Sequence, residues 1–351
     1  MSNTLRNKQN YNYIDLAKFI AALFVITIHC PPLTSLNEHI NQVFVNTFSR
    51  LAVPFFFACS GYFFFSKLKY TNNKIENCKE NRQKLFSYIR RVSVLYIIWS
   101  VIYLLWQIPQ WYHTGWLSIS AFIDYGIAFF KQGSYYHMWY ILELIYATIL
   151  GYILLSLFNR KIISIMIAIL YVLGMLTYSY SWMPIPFIDF LNRISEVTSA
   201  LWESATRALP LMMFGFISAT AKRKITVKTS SVLFIISFIG LIIEHYMINN
   251  YTTNHEFFSY IIFTIPCEIF LFLSIISIKT NGIEKKYRIL RNSSTIIYCL
   301  HPMIINLFGL IPIYSNMNSL IKYFIIAGSS IILAFLIVKL SNKIKFITYL
   351  Y

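Results

Sequence analysis

Lys18 and His29 stand with ten residues between them inside one apolar segment, Tyr13 to Cys30. On a helix, eleven steps of about 100° bring His29 back to within roughly 20° of Lys18 and about 16 Å further along the axis. The two then share a face. Asp15, three residues before Lys18, extends the stripe, while Phe19, Leu23, Phe24 and Ile26 mostly point elsewhere. Lipid admits a cation and an imidazole only for a reason, so ionisable groups here are functional candidates by default. An imidazole beside cations suits one chemistry in particular. It can take the proton of a hydroxyl that attacks an acyl group, while a cation stabilises the oxyanion or binds an anionic donor.

Further polar residues interrupt apolar stretches. Arg50 opens the run Arg50-Leu51-Ala52-Val53-Pro54-Phe55-Phe56, followed by Ser60-Gly61-Tyr62. It either snorkels to the headgroups or reaches the cavity of His29. Glu203 and Arg207 form an i, i+4 pair before Phe214-Gly215. Mutual neutralisation is their simplest role, and a cation at the depth of Arg50 and His29 is the alternative. His137-Met138-Trp139-Tyr140, followed by Glu143, reads as an interfacial anchor or as part of a site. Ser294, Tyr298 and His301 fall at i, i+4 and i+7, one polar stripe ahead of Pro302. His301 fits an interhelical hydrogen bond as well as a chemical role. Glu244, His245 and Glu268 are buried candidates without an assigned role.

Other chemistries lack their motifs. There is no HExxH, no phosphate-cradling GxxxxGK[ST] loop and no GxSxG elbow. Metal hydrolysis, ATP-driven pumping and serine hydrolysis are therefore disfavoured, and no metal is expected.

The elements that position these residues follow from composition. Of 351 residues, 57% are hydrophobic and 12% charged, and the mean hydropathy is +0.59. Such a chain is predicted to be an all-α integral membrane protein of the cell membrane, multi-pass and built as a single domain over 1–351. Ten spans are expected, near 13–30, 44–66, 92–110, 137–158, 162–180, 200–220, 229–249, 257–278, 293–313 and 319–340. The 119–130 stretch is short and is expected to be interfacial or re-entrant. A net charge of +17 suggests nucleic acid only in a soluble protein. Here it reports topology, and no nucleic acid is expected. With ten spans and cytoplasmic termini, 24 of the 30 lysines and arginines fall on inner segments, and only Lys131, Arg193 and Lys322 on outer loops. The 67–91 segment is the most basic, and anionic lipids are natural neighbours. The charges within 13–30 argue against a cleaved signal peptide. Five cysteines without CxxC spacing indicate neither a disulfide framework nor a thiolate metal site.

The chain resembles the membrane acyltransferase-3 family, whose signature is Arg or Lys, ten residues, then His in the first span. Lys18 and His29 match it. The resemblance extends in order through Arg50 to Phe56 with Ser60-Gly61-Tyr62, His137 to Tyr140, Arg207 with Phe214-Gly215, and Tyr298-Cys299-Leu300-His301-Pro302. It implies a ten-helix fold that moves an acyl group, usually acetyl, from cytoplasmic acyl-CoA to a hydroxyl on an extracytoplasmic glycan or lipid-linked saccharide. It makes His29 the essential histidine, Lys18 its partner cation, and Arg50 and Arg207 the arginines of the site. Asp15, His137, Trp139, Glu203, Tyr298 and His301 are the candidate substrate contacts on this reading. Residue 18 is Lys, a point charge instead of a bidentate fork. No SGNH-type esterase segment follows the tenth span, as in stand-alone members. The alternative is a small-solute transporter, since related membrane domains accompany racemases and imply amino-acid supply. Glu244, Glu268 and Asp15 would then line the path. Dependence on acyl-CoA separates the two readings, and no inverted repeat with broken helices favours transport.

Overall fold

The computed structural model describes residues 11–221, 225–251, 260–278 and 284–351. The expected inner cations Arg6, Lys8, Lys222, Arg223, Lys224 and Lys279 lie outside those residues. The architecture is an all-α membrane bundle. In chain order it comprises α1 (Asn12–His29), α2 (Glu38–Thr47), a 3-10 turn (Ser49–Leu51), α3 (Ala52–Phe65), β1 (Tyr70–Thr71), β2 (Lys74–Ile75), α4 (Lys79–His113), α5 (Ile119–Lys131), α6 (Trp139–Leu157) and α7 (Arg160–Thr177). Then follow α8 (Pro186–Thr198), α9 (Ala200–Glu203), a π-helical turn (Ser204–Ala208), α10 (Leu209–Ala219), α11 (Val227–Asn249), α12 (Thr264–Ile276), α13 (Glu284–Gly309), α14 (Pro312–Ser315) and α15 (Ser319–Leu340).

Among the described residues, seven helical stretches are long and apolar enough to cross a bilayer: α1, Glu38–Phe65, α4, α6, α7, α11 and α15. The three other expected spans take different forms. Residues 200–220 hold two α pieces joined by the π turn. Within 257–278 the described helix is α12, of 13 residues. In place of 293–313 stands α13, 26 residues long, which runs through Pro302 and carries the polar stripe that dilutes its hydropathy. The 119–130 stretch becomes α5, a 13-residue helix with no buried side chain. At 1.5 Å per residue it reaches about 20 Å, too short for a core of roughly 30 Å.

Two packing relationships position the site. Helices α1 and α13 run parallel, because Asp15 faces Arg291 at 3.8 Å near one end and His29 faces His301 near the other. Helices α3 and α10 meet backbone to backbone. A Cβ built on Gly61 falls 2.1 Å from the Met212 carbonyl oxygen, and one on Gly215 falls 2.6 Å from the Ala58 Cα. Only glycine permits that approach.

Helix α4 has 35 residues and its first turns are charged, so at about 1.5 Å per residue it outreaches the hydrocarbon core. The β1–β2 hairpin folds against this projecting end. Its turn residues Asn72 and Asn73 have φ of 52° and 62°, a left-handed conformation that asparagine tolerates. Asn81, fully buried, pins the hairpin. Its Oδ1 accepts from the Lys69 N–H at 2.9 Å, and its Nδ2 donates to the carbonyls of Lys69 and Glu76 at 3.0 and 2.8 Å.

Candidate active site

His29 is the last residue of α1 and is partly buried. It packs against Tyr136, with ring centroids 5.0 Å apart, and against His301 at 5.3 Å. His301 comes from α13 and is fully buried. Beside it stands His137, from the turn before α6, at 5.5 Å. Three imidazoles from three chain regions thus cluster, with Tyr136 5.6 Å, Tyr103 5.1 Å and Tyr298 5.4 Å from the His137 ring. Tyr298 donates its hydroxyl hydrogen to the His137 carbonyl, which fixes the pre-α6 turn on α13. Nε2 of His301 is buried without a hydrogen-bond partner among the described residues. Buried polar atoms in that condition are rare enough to require an explanation.

Arg50 lies on the 3-10 turn, which a 2.6 Å contact between the Thr27 and Ser49 hydroxyls ties to the end of α1. Its Nε donates to Asn46 Oδ1 at 3.0 Å, and its charge is felt at His29. Lys18 is elsewhere. Its ammonium sits 5.3 Å from the Phe63 ring centroid, toward the opposite end of α1, and makes no contact with His29. Asp15 pairs with Arg291 on α13 and also feels the charge of Lys18 in its own stripe.

Arg207 belongs to a second cluster. The π turn delivers it, almost fully buried, to Glu143 on α6, and its Nη2 also reaches Glu203 at 3.1 Å. The Trp139 ring lies 4.0 Å from the guanidinium carbon and the Tyr260 ring 5.0 Å, close enough for cation–π attraction. Tyr178 donates to Glu203 at 3.1 Å. The sequence pairs Arg207 with Glu203, but the carboxylate that receives two of its nitrogens is Glu143. This cluster borders the imidazoles through Trp139, two residues from His137. Sequence reasoning also missed Tyr136 against His29, although the run Tyr135-Tyr136-His137 was a visible aromatic signal.

The other flagged carboxylates fall outside both clusters. Glu244 accepts from the backbone N–H groups of Ile262 and Phe263 at 2.7 and 2.8 Å and from the Tyr180 hydroxyl, so it caps the approach to α12. Glu268 is buried with neither oxygen hydrogen-bonded among the described residues. Among the described residues, no three His, Cys, Asp or Glu side chains converge as metal ligands.

At the far end of α1 lies a field of cations. Lys67, just beyond α3, feels Arg91, Arg291, Lys18 and Lys84. Burial first, and then those four charges, push its ammonium below the usual lysine range. Lys84 donates to the Lys67 carbonyl at 2.7 Å, and Glu80 pairs with both Lys84 and Lys69, leaving a net positive charge.

A family model described as an acyltransferase domain, that of the acyltransferase-3 family, matches residues 11–339. An amino-acid racemase of Enterococcus faecalis is 26% identical over 348 residues, 96% of this chain and 47% of the relative. A second amino-acid racemase of that organism is 32% identical over 178 residues, 50% of this chain and 23% of its own. A serine/alanine racemase of Enterococcus gallinarum is 26% identical over 235 residues, 66% of this chain and 32% of its own. The chain spans about half the length, or less, of these curated relatives. No solved structure matches. Since the family model spans nearly the whole chain, the protein belongs to the acyltransferase-3 family and is a multi-pass membrane protein.

Proposed function

From that membership, we propose that the protein transfers an acyl group, acetyl in the simplest case, from acyl-CoA to a hydroxyl of an extracytoplasmic glycan or lipid-linked saccharide. The observation that carries this reading is the placing of His29. The family's Lys-x10-His spacing sets it at the end of α1, partly buried, against Tyr136 and His301, with the Arg50 charge nearby. His29 removes the hydroxyl proton as the acceptor oxygen attacks the thioester carbonyl. The carbon–sulfur bond then breaks, and the proton passes from His29 to the departing thiolate. Arg50 stabilises the developing oxyanion. Lys18 and the Lys67 field, at the other end, face the cytoplasm, draw in the CoA phosphates and contact anionic lipids. Arg207 supports the site from its carboxylate pair, with Asp15, Trp139 and Glu203 bordering the substrates' paths.

The test is thiol release from acyl-CoA by purified protein in nanodiscs, with and without cell-envelope glycan. Wild type should release thiol and His29→Ala should not, while remaining folded and inserted. Release that survives His29→Ala overturns the role of His29, and acyl-CoA-independent solute uptake would replace the reading altogether.

A further inference from the structure

His301 directs Nδ1 to the Ile297 carbonyl at 3.1 Å. A carbonyl only accepts, so Nδ1 carries the hydrogen, and in the neutral ring Nε2 is a bare lone pair. That nitrogen is buried without a partner among the described residues. An unmet acceptor in a fully buried residue is costly unless a donor arrives at some stage of the working cycle. The nearest ring is His29, with centroids 5.3 Å apart and planes 31° from parallel. Each ring nitrogen lies about 1.1 Å from its centroid, so two rings turned end to end at this separation bring nitrogens to about 3 Å, hydrogen-bond distance. The required movement is a turn of the His29 ring about its broad terminal torsion, because the i to i−4 bond on α13 already holds His301.

We infer that His301 is a positioning residue for His29: its Nε2 accepts the His29 ring N–H, which fixes the tautomer of the base and steadies the imidazolium that forms. The inference rests on the acyl-transfer reading for its catalytic consequence, though not for the hydrogen bond itself. The acceptor is a neutral imidazole in a place where a carboxylate would hold a base more strongly. No proton is consumed. The proton that His29 takes from the hydroxyl goes on to the thiolate, and His301 keeps its Nδ1–H throughout. His137, 5.5 Å from His301 with ring planes at 73°, is the competing donor, and if it occupies Nε2 the wild-type His29 is left with a mixed tautomer.

The experiment uses full-length protein in nanodiscs carrying 15N-labelled histidine, with the His29 signals assigned by their loss in His29→Gln. Wild type should show one His29 tautomer and His301→Phe a mixture, whereas His301→Gln, which retains an accepting oxygen, should restore the single form. In thiol-release kinetics His301→Phe should lower kcat about a hundredfold, with KM for acyl-CoA within about twofold. His301→Gln should recover at least about tenfold of that loss. A mixed tautomer of His29 in wild type overturns the inference, as does equal loss in both variants when both are monodisperse. If His301→Phe does not fold, the wild-type spectrum and His301→Gln still decide. If wild type itself releases no thiol, the acyl-transfer reading fails, while the tautomer comparison still tests the hydrogen bond between His29 and His301.

Discussion

Arg207 directs two guanidinium nitrogens into the Glu143 carboxylate, Nε at 3.2 Å to one oxygen and Nη2 to the other, across 64 positions of sequence. Glu143 is fully buried and Arg207 nearly so, while Glu203, the second carboxylate, keeps 25% side-chain exposure. A buried pair adds little net stability when intact, yet removing one partner strands the other's charge.

Glu143→Ala leaves Arg207 with Glu203 as its remaining carboxylate and is expected to destabilise by about 1–3 kcal/mol, read as a lowered Tm of purified protein. Replacing both partners, Glu143→Leu with Arg207→Met, should recover most of that loss. The double variant also separates two roles for Arg207. A stable protein that still releases thiol confines it to holding α6 against the π turn, whereas a stable but inactive one places its charge in the chemistry.

The depressed ammonium of Lys67 carries a pH prediction. Its charge is present below the depressed pKa and is lost as pH rises through it, earlier than for an ordinary lysine. A bound polyanion favours the charged form, so donor affinity should fall as pH rises through that range. Lys67→Arg, which keeps its charge, should move the fall to higher pH. Lys67→Gln should raise KM for acyl-CoA several-fold and flatten its salt dependence, with kcat unchanged. An unchanged KM in Lys67→Gln would take the phosphates elsewhere.

The close approach of α3 and α10 makes a sharp contrast between glycines. Gly61→Ala drives a Cβ to 2.1 Å from the Met212 carbonyl oxygen, whereas one on Gly126 meets nothing within 4 Å. The first substitution should cost about 1–3 kcal/mol or abolish the monodisperse peak on size exclusion. Gly126→Ala should leave both yield and Tm at wild-type values.

The contrast between those glycines was not readable in the sequence, and the reason is general to this fold. Hydropathy depends on composition within a window, so the apolar segments stand out. The i, i+4, i+7 spacing likewise shows that Tyr298 and His301 share a face. What composition and period do not carry is which distant face each stripe meets. Asp15 was legible as a neighbour of Lys18, but parallel packing of α1 and α13 gives it to Arg291. Arg207 was legible as the partner of Glu203, and that pair forms at 3.1 Å, but the π turn, which adds a residue to the helical repeat, also aims it at Glu143, which the sequence did not indicate. Lys18 and His29 were legible as one motif, yet the length of α1 sends them to different neighbours, Phe63 and His301.

Asn81 gave no signal in the sequence, and it offers the last prediction. Its three hydrogen bonds hold the β1–β2 hairpin to the start of α4, beside Lys67 and Lys84. Each is worth about 1 kcal/mol, and more where a buried partner is left unmet. Asn81→Leu should loosen the hairpin from the start of α4, while Ile75, buried in the main core, and the Tyr70 ring, stacked on Phe216, keep its inner face on the bundle. Donor KM should rise several-fold as Lys67 loses its fixed place, while kcat and the His29 tautomer stay as in wild type. The loosened hairpin contains Lys69 and Lys74, so trypsin should cut there far faster in the variant. Applied to sealed vesicles, the same digestion tests the orientation of the bundle. Cleavage only in inverted vesicles places the Lys67 field in the cytoplasm, where acyl-CoA is found, and cleavage only in right-side-out vesicles would put the donor on the wrong side and overturn the proposed direction of transfer.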